Sequence, residues 1–144
     1  MTDPSGPAGG AGSVRYLNHE TLSANPAFTQ VVVASGPVKT VYVGMQCAVD
    51  GTGQIVGRGD VGAQTEQVLK NIGDCLDAAG AKPDHLVSWT ICVVQGQPIE
   101  PALAAGLRWW GNCPNPPANT VMIVAGLAHP DFLIGIEAIA VVPE

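Results

Sequence analysis

Hydrophobic residues recur along this chain in two rhythms. Val31-Val32-Val33-Ala34 is a short β-branched run closed by Ser35-Gly36-Pro37, and residues 38–49 form a second run with Val41, Val43 and Cys47 in alternation. Both predict strands, joined as a hairpin around the Ser-Gly-Pro turn. Asp50-Gly51-Thr52-Gly53 is a turn signal. The rhythm then changes. Val61, Val68, Leu69, Ile72, Leu76 and Ala79 fall on one helical stripe. Asp60 suits the N-cap, Gly80 the residue past the C-cap, and Pro83 blocks continuation. Glu66 and Lys70 form a favourable i,i+4 pair on the outer face. Residues 86–94 are apolar on both faces, which predicts a central strand. Residues 101–110 predict a second helix, with Pro101 in its first turn and Gly111 beyond its end. Residues 120–125 and 132–142 predict two further strands. The order β-β-α-β-α-β-β predicts an α+β domain, a mixed sheet with two helices on one face.

Composition adds two constraints. Hydrophobic residues make up 47% of the 144 and charged residues 12%, against a usual charged share of roughly 25%. So little charge predicts that other copies of the chain cover part of its surface. The net charge of -6, with six scattered Lys and Arg, argues against a nucleic-acid partner. No apolar run is long enough for a membrane span. Residues 1–14, rich in Gly, Pro, Ala and Ser, lack the segments of a signal peptide and read as a disordered tail before one domain at 15–144. Without an export signal, the expected location is the cytoplasm. Cys47, Cys75, Cys92 and Cys113 include no CxxC pair and read as reduced, mostly core thiols.

Candidate chemistry is sparse. Gly51-Thr52-Gly53-Gln54-Ile55-Val56-Gly57 lacks phosphate-loop spacing and a following lysine, so it reads as a turn. Trp109-Trp110 reads as packing, with one indole in the core and the other at an interface or pocket rim, because no basic groove accompanies it. His129, in the loop before the last strand, is a candidate to line a cleft. Glu137 is the one charged residue in the strand at 132–141. A carboxylate there is exposed, paired, or held for proton transfer.

Three stretches carry a family resemblance. Val61-Gly62-Ala63-Gln64-Thr65-Glu66-Gln67-Val68-Leu69-Lys70-Asn71-Ile72 fits the pattern A-Q-x-x-x-x-L-x-N-I, Leu76-Asp77-Ala78-Ala79-Gly80-Ala81 fits a helix end of the form E-A-A-G-[AS], and Ile136-Glu137-Ala138-Ile139-Ala140-Val141 fits a terminal strand I-E-A-I-A-V. Over residues 25–142 the chain resembles the YjgF/RidA (Rid) family. The resemblance implies a chorismate-mutase-like fold, a homotrimer with small-molecule clefts between subunits, and hydrolysis of reactive imines or enamines such as 2-aminoacrylate. It implies neither a metal nor an organic cofactor. It makes Glu137 the catalytic residue that handles the attacking water, and it places Asn119, Thr120, Gln46 and Phe28 about the substrate. Asn119 stands where the family carries a carboxylate-binding arginine, Val121 where it carries a cysteine, and Phe28 where a tyrosine is common. These departures imply a divergent branch.

Two function classes follow. The first is a cofactor-free hydrolase of a small imine or enamine, using Glu137 as base with Asn119, Thr120, Gln46, Phe28 and His129 around the ligand. The second is a non-catalytic trimeric module that binds a small metabolite. A nucleolytic role conflicts with the acidic balance.

Overall fold

The computed structural model describes residues 10–144. Strands β1 (Ser13–Leu17), β2 (Val31–Ser35) and β3 (Val38–Gln46) precede helix α1 (Val61–Ala78). A short 3-10 turn at Pro83–His85 leads into β4 (Leu86–Val94), followed by helix α2 (Glu100–Trp110), β5 (Ala118–Val124) and β6 (Ile134–Pro143).

Helix α1 forms where the apolar stripe lies. Asp60 caps it, its Oδ1 accepting the Ala63 N–H at 3.1 Å. It ends where Gly80, at φ +71, lets the chain turn back. The Ala81 N–H then reaches the Leu76 carbonyl and the Gly80 N–H reaches that of Asp77, which satisfies two orphan carbonyls. Val68, Leu69, Ile72 and Leu76 are buried; each contributes about 1.5–3 kcal/mol relative to exposure. The expected Glu66–Lys70 pair is replaced by two others: Lys70 pairs with Asp74 at 3.0 Å and Glu66 with Arg108 of α2 at 2.6 Å. Both are exposed and contribute at most about 1 kcal/mol each.

The main sheet has the order β3-β6-β4-β5. β6 is antiparallel to both neighbours, and β4 runs parallel to β5 across the α2 crossover. The α+β class, the mixed sheet and the pair of helices agree with expectation, and β4 is central. Along β6, Ile134, Ile136, Ala138 and Ala140 are buried in the same core cluster as the α1 stripe. Glu137, between them in sequence, points to the opposite face and is exposed.

Two sequence expectations are corrected. The hairpin around Ser35-Gly36-Pro37 does not form: β2 pairs with β1 and β3 pairs with β6. Gly36 at φ +73 turns the chain from one sheet into the other, and Pro37 gives its carbonyl to the Glu144 N–H at 3.0 Å. The tail is also shorter than expected. Gly12 donates to the Glu144 carbonyl at 2.9 Å, and β1 begins at Ser13, ahead of the boundary at 15. A Cβ on Gly12 would lie 1.9 Å from the Pro37 oxygen, so this approach requires glycine. The remainder of the expected tail, residues 1–9, lies outside the described residues.

Candidate functional site

Register decides where the candidate residues lie. Thr90 pairs with Glu137, and its chain neighbour Trp89 pairs with Asn119. Successive strand residues point to opposite faces. Glu137 therefore occupies the uncovered face, and Asn119 the face beneath the helices. Thr120, which pairs with Thr90, extends a polar row on the open face, Glu137–Thr90–Thr120 across three strands. A shallow concavity of about 290 Å³ surrounds Glu137, bordered by Tyr42, Gly44, Ser88 and Ile139. Tyr42 there is 77% exposed.

The second concavity, of about 170 Å³, lies between α2 and the sheet and is partly open to solvent, with Leu103 and Leu107 on its wall exposed. Leu103, Leu107 and Trp110 roof it, Trp89, Ile91 and Asn119 form its floor, and Pro26, Ala27 and Pro117 close one side. The segment bearing Pro26 and Ala27 is pinned locally. Asn25 Oδ1 accepts the Ala27 N–H at 2.8 Å, and the buried Thr29 donates its N–H to the Pro117 carbonyl at 3.2 Å. No ionisable side chain is among the described residues that line this cavity.

Its polar atoms are few. Thr65 spends its hydroxyl on the Val61 carbonyl at 2.7 Å, and Trp110 donates its indole N–H to the Cys113 carbonyl at 3.0 Å. Trp89 Nε1 and Asn119 Oδ1 are buried without a hydrogen-bond partner among the described residues. The three indoles cluster, with the Trp89 ring centre 6.0 Å from that of Trp110 and 6.2 Å from that of Trp109. Trp110 reaches the cavity while Trp109 packs near Gly73 of α1, which matches the expected division between core and pocket rim.

Within one chain the sheet separates Glu137 from Asn119, so a cleft holding both would need two copies of the chain. Gln46 folds back onto the Gly44 carbonyl at 3.2 Å. Phe28 is half-buried beside the cavity-closing segment and does not line the cavity. His129 accepts the Asp131 N–H at 3.0 Å and lies 5.4 Å from the Phe132 ring, away from both concavities. Trp89 escaped the sequence reading: an indole in a central strand looks like core, and only the register places it against Asn119.

The four cysteines are free. Burial, then the neighbouring Cys92, pushes the Cys47 thiol above its ordinary value. No group of three or more His, Cys, Asp or Glu among the described residues is placed to hold a metal, and no helix among them is long and apolar enough to cross a membrane.

Residues 19–142 match the family model described as Endoribonuclease L-PSP. A Yersinia pestis protein of unknown function, YyfB of the conserved Rid family, is 34% identical; the match covers 90% of this chain and 98% of that one, with a TM-score of 0.79. The E. coli YjgF gene product is 31% identical over 71% of this chain and 80% of its own, with a TM-score of 0.64. E. coli TdcF, solved with bound serine, shares the fold at 21% identity and a TM-score of 0.65, covering 83% of this chain and 96% of that one. Among curated proteins no relative matches. On the family model and the Rid relative together, the chain belongs to the YjgF/RidA (Rid) family.

Proposed function

We propose that this chain seats a small molecule in the Trp89–Asn119 cavity and hydrolyses a small imine or enamine there, with Glu137 supplied by a second copy in a homotrimer. The observation that carries this reading is the cavity itself, an apolar concavity of about 170 Å³ between α2 and the sheet. A pocket of that kind is the default ligand site of a small domain. The open sheet face with Tyr42 and Glu137 supports the second half, since none of the described elements packs over either side chain.

The chemistry balances without a cofactor. Glu137 accepts a proton from water as the oxygen adds to the imine carbon and the C=N π-electrons pass to nitrogen. Returning that proton to the nitrogen gives a carbinolamine; Glu137 then takes the hydroxyl proton and passes it to the nitrogen as the C=O bond forms and the C–N bond breaks, so that ammonia leaves with a carbonyl product. Asn119 and Trp89 hold the substrate, and Thr120 and Thr90 flank the carboxylate. His129, Gln46 and Phe28 contact the ligand only across a subunit boundary in this reading.

The test is ammonia release from imines generated in situ by an amino-acid oxidase, for wild type and Glu137→Gln. Acceleration by wild type that the variant lacks, with the assembly intact, supports the role. Full activity in the variant removes it.

One observation favours a second reading, a binding module without turnover: no titratable group lines the cavity among the described residues. Thermal stabilisation by panel members without ammonia release would select it, because binding stabilises the folded state whether or not chemistry follows. The net charge of -6 speaks against cleavage of a phosphate-backboned substrate.

A further inference from the structure

Sulfur gathers at one place on the open sheet face. Gly135 lies two residues before Glu137 along β6 and so belongs to the same face. It is buried nonetheless, because Met45 lies across it. A Cβ built on Gly135 would stand 2.7 Å from Met45 Sδ and 3.3 Å from Cys47 Sγ. The two sulfurs are therefore no farther apart than those distances laid end to end. Cys92 is the β4 partner of Gly135 and flanks it from the other side. It is buried, and the two thiols are near enough that Cys92 helps to hold the Cys47 proton. Asn71 of α1 fixes the backbone at this end of β3, its Nδ2 donating to the carbonyls of Cys47 and Val49 at 3.1 and 2.9 Å.

We propose that Cys47, Cys92 and Met45 form a site for one soft monovalent metal ion, Cu(I), held over Gly135. Thiolate and thioether sulfur is the donor set that selects such an ion. Spacing excludes the competing use of two thiols. Cys47 and Cys92 flank β6, so their backbones lie about 10 Å apart, two strand spacings. A disulfide spans no more than about 7 Å between Cα atoms. With no side chain on Gly135 between them, both thiols reach inward to one ion instead, and Met45 Sδ covers it. Zinc fits less well. It takes four nitrogen, sulfur or oxygen donors, and no group of three or more His, Cys, Asp or Glu is gathered among the described residues. Binding involves no electron transfer. The ion enters as Cu(I), bonds form from it to the sulfurs, and the two thiols pass their protons to solvent. Every donor comes from one chain, so the site depends neither on the imine chemistry nor on a second copy.

The test is an anaerobic titration of the reduced full-length protein with Cu(I), in competition with the chromogenic chelator bicinchoninate. The expected result is one Cu(I) withdrawn per chain. Cys47→Ser should weaken binding about tenfold or more, while a variant carrying Cys75→Ser and Cys113→Ser binds as wild type does. Gly135→Ala puts a methyl group where the sulfurs converge and should weaken binding by a similar factor. Gly135 has no positive φ that would require glycine, and the nearest atoms belong to the flexible Met45 side chain, so this variant keeps the fold. X-ray absorption of the copper-loaded wild type should show sulfur alone around the metal, and it needs no variant. No copper withdrawn, nitrogen or oxygen in the metal shell, or binding unchanged by Gly135→Ala overturns the site. So does a loss on replacing Cys75 and Cys113 as large as that from Cys47→Ser. Zn(II) held as tightly as Cu(I) overturns the choice of a soft ion.

Discussion

Trp89 and Asn119 face each other across parallel strands, and the indole N–H of one and the amide oxygen of the other are sealed from solvent without a described protein partner. Leaving a buried acceptor unsatisfied costs about 1–3 kcal/mol. Asn119→Leu removes that acceptor in favour of an apolar group of similar size among apolar neighbours. The expected outcome is a gain of about 1 kcal/mol in urea-measured stability. A loss of similar size would mean that the amide has a partner in solution.

Gln64 is fully buried in α1 and holds the segment before β6. Its Nε2 donates to the carbonyls of Asp131 at 2.7 Å and Gly57 at 3.2 Å, while its Oε1 accepts the Leu133 N–H at 2.8 Å. Gln64→Leu leaves those backbone groups unpaired. Stability should fall by roughly 3 kcal/mol, read from denaturant midpoints at unchanged m-value. A loss below about 1 kcal/mol would show that the segment repairs its own bonds.

Tyr16 joins β1 to the main sheet, donating its hydroxyl to the Leu86 carbonyl at 2.9 Å. Burial, then the nearby Asp84 and Cys113, raises its phenol above the ordinary 10.0. The folded state then holds this proton more tightly than the unfolded chain does. The contribution is complete below pH 10.0 and is lost as pH rises from there through the folded value. Cys47 and Cys113, raised from 9.0 with burial as the leading cause, act in the same direction from a lower pH. Tyr16→Phe should cost about 1 kcal/mol at neutral pH and flatten the highest part of the alkaline limb. A limb unchanged in slope assigns the alkaline loss to the thiols.

Asp50 acts at the other end of the pH scale. Its Oδ1 accepts from the Thr52 hydroxyl at 2.7 Å and from the N–H groups of Thr52 and Gln54 at 2.9 and 3.1 Å. These bonds, the Thr52 hydroxyl first, lower its pKa from 3.8. Its contribution is present above 3.8 and is lost as pH falls through the folded value. Asp50→Asn should be less stable than wild type at about pH 7, with the difference shrinking by about pH 2.5. A difference that persists in acid would rule out the charge as its source.

Much of this fold is legible without coordinates. Helix α1 announces itself through Asp60, one apolar stripe and Gly80, all of them local signals. The apolar run of β4 implies a central place. What fails is pairing between distant segments. Gly36-Pro37 has the composition of a hairpin turn, yet its flanking strands pair elsewhere, a choice set by partners as remote as Val142. β1 is legible in retrospect as Val14-Arg15-Tyr16-Leu17, masked by the Gly-rich stretch before it. Register also governs how the candidate site residues are distributed within one chain. A strand's side chains alternate in facing, so a one-residue difference in register separates Glu137 from Asn119 by the thickness of the sheet. Individual candidates such as Glu137 and Asn119 are visible in the sequence; which face each occupies is not.

The uncharged wall of the Trp89–Asn119 cavity also makes it blind to the acid–base and ionic state of its surroundings. Nothing on its described lining changes protonation near neutrality, and no ion pair is made or broken when a neutral guest enters. Within one chain a neutral guest's occupancy would be unmoved by salt, whereas an arginine-based carboxylate site weakens as ionic strength rises; any response to acidification would come from Glu137 of a second copy.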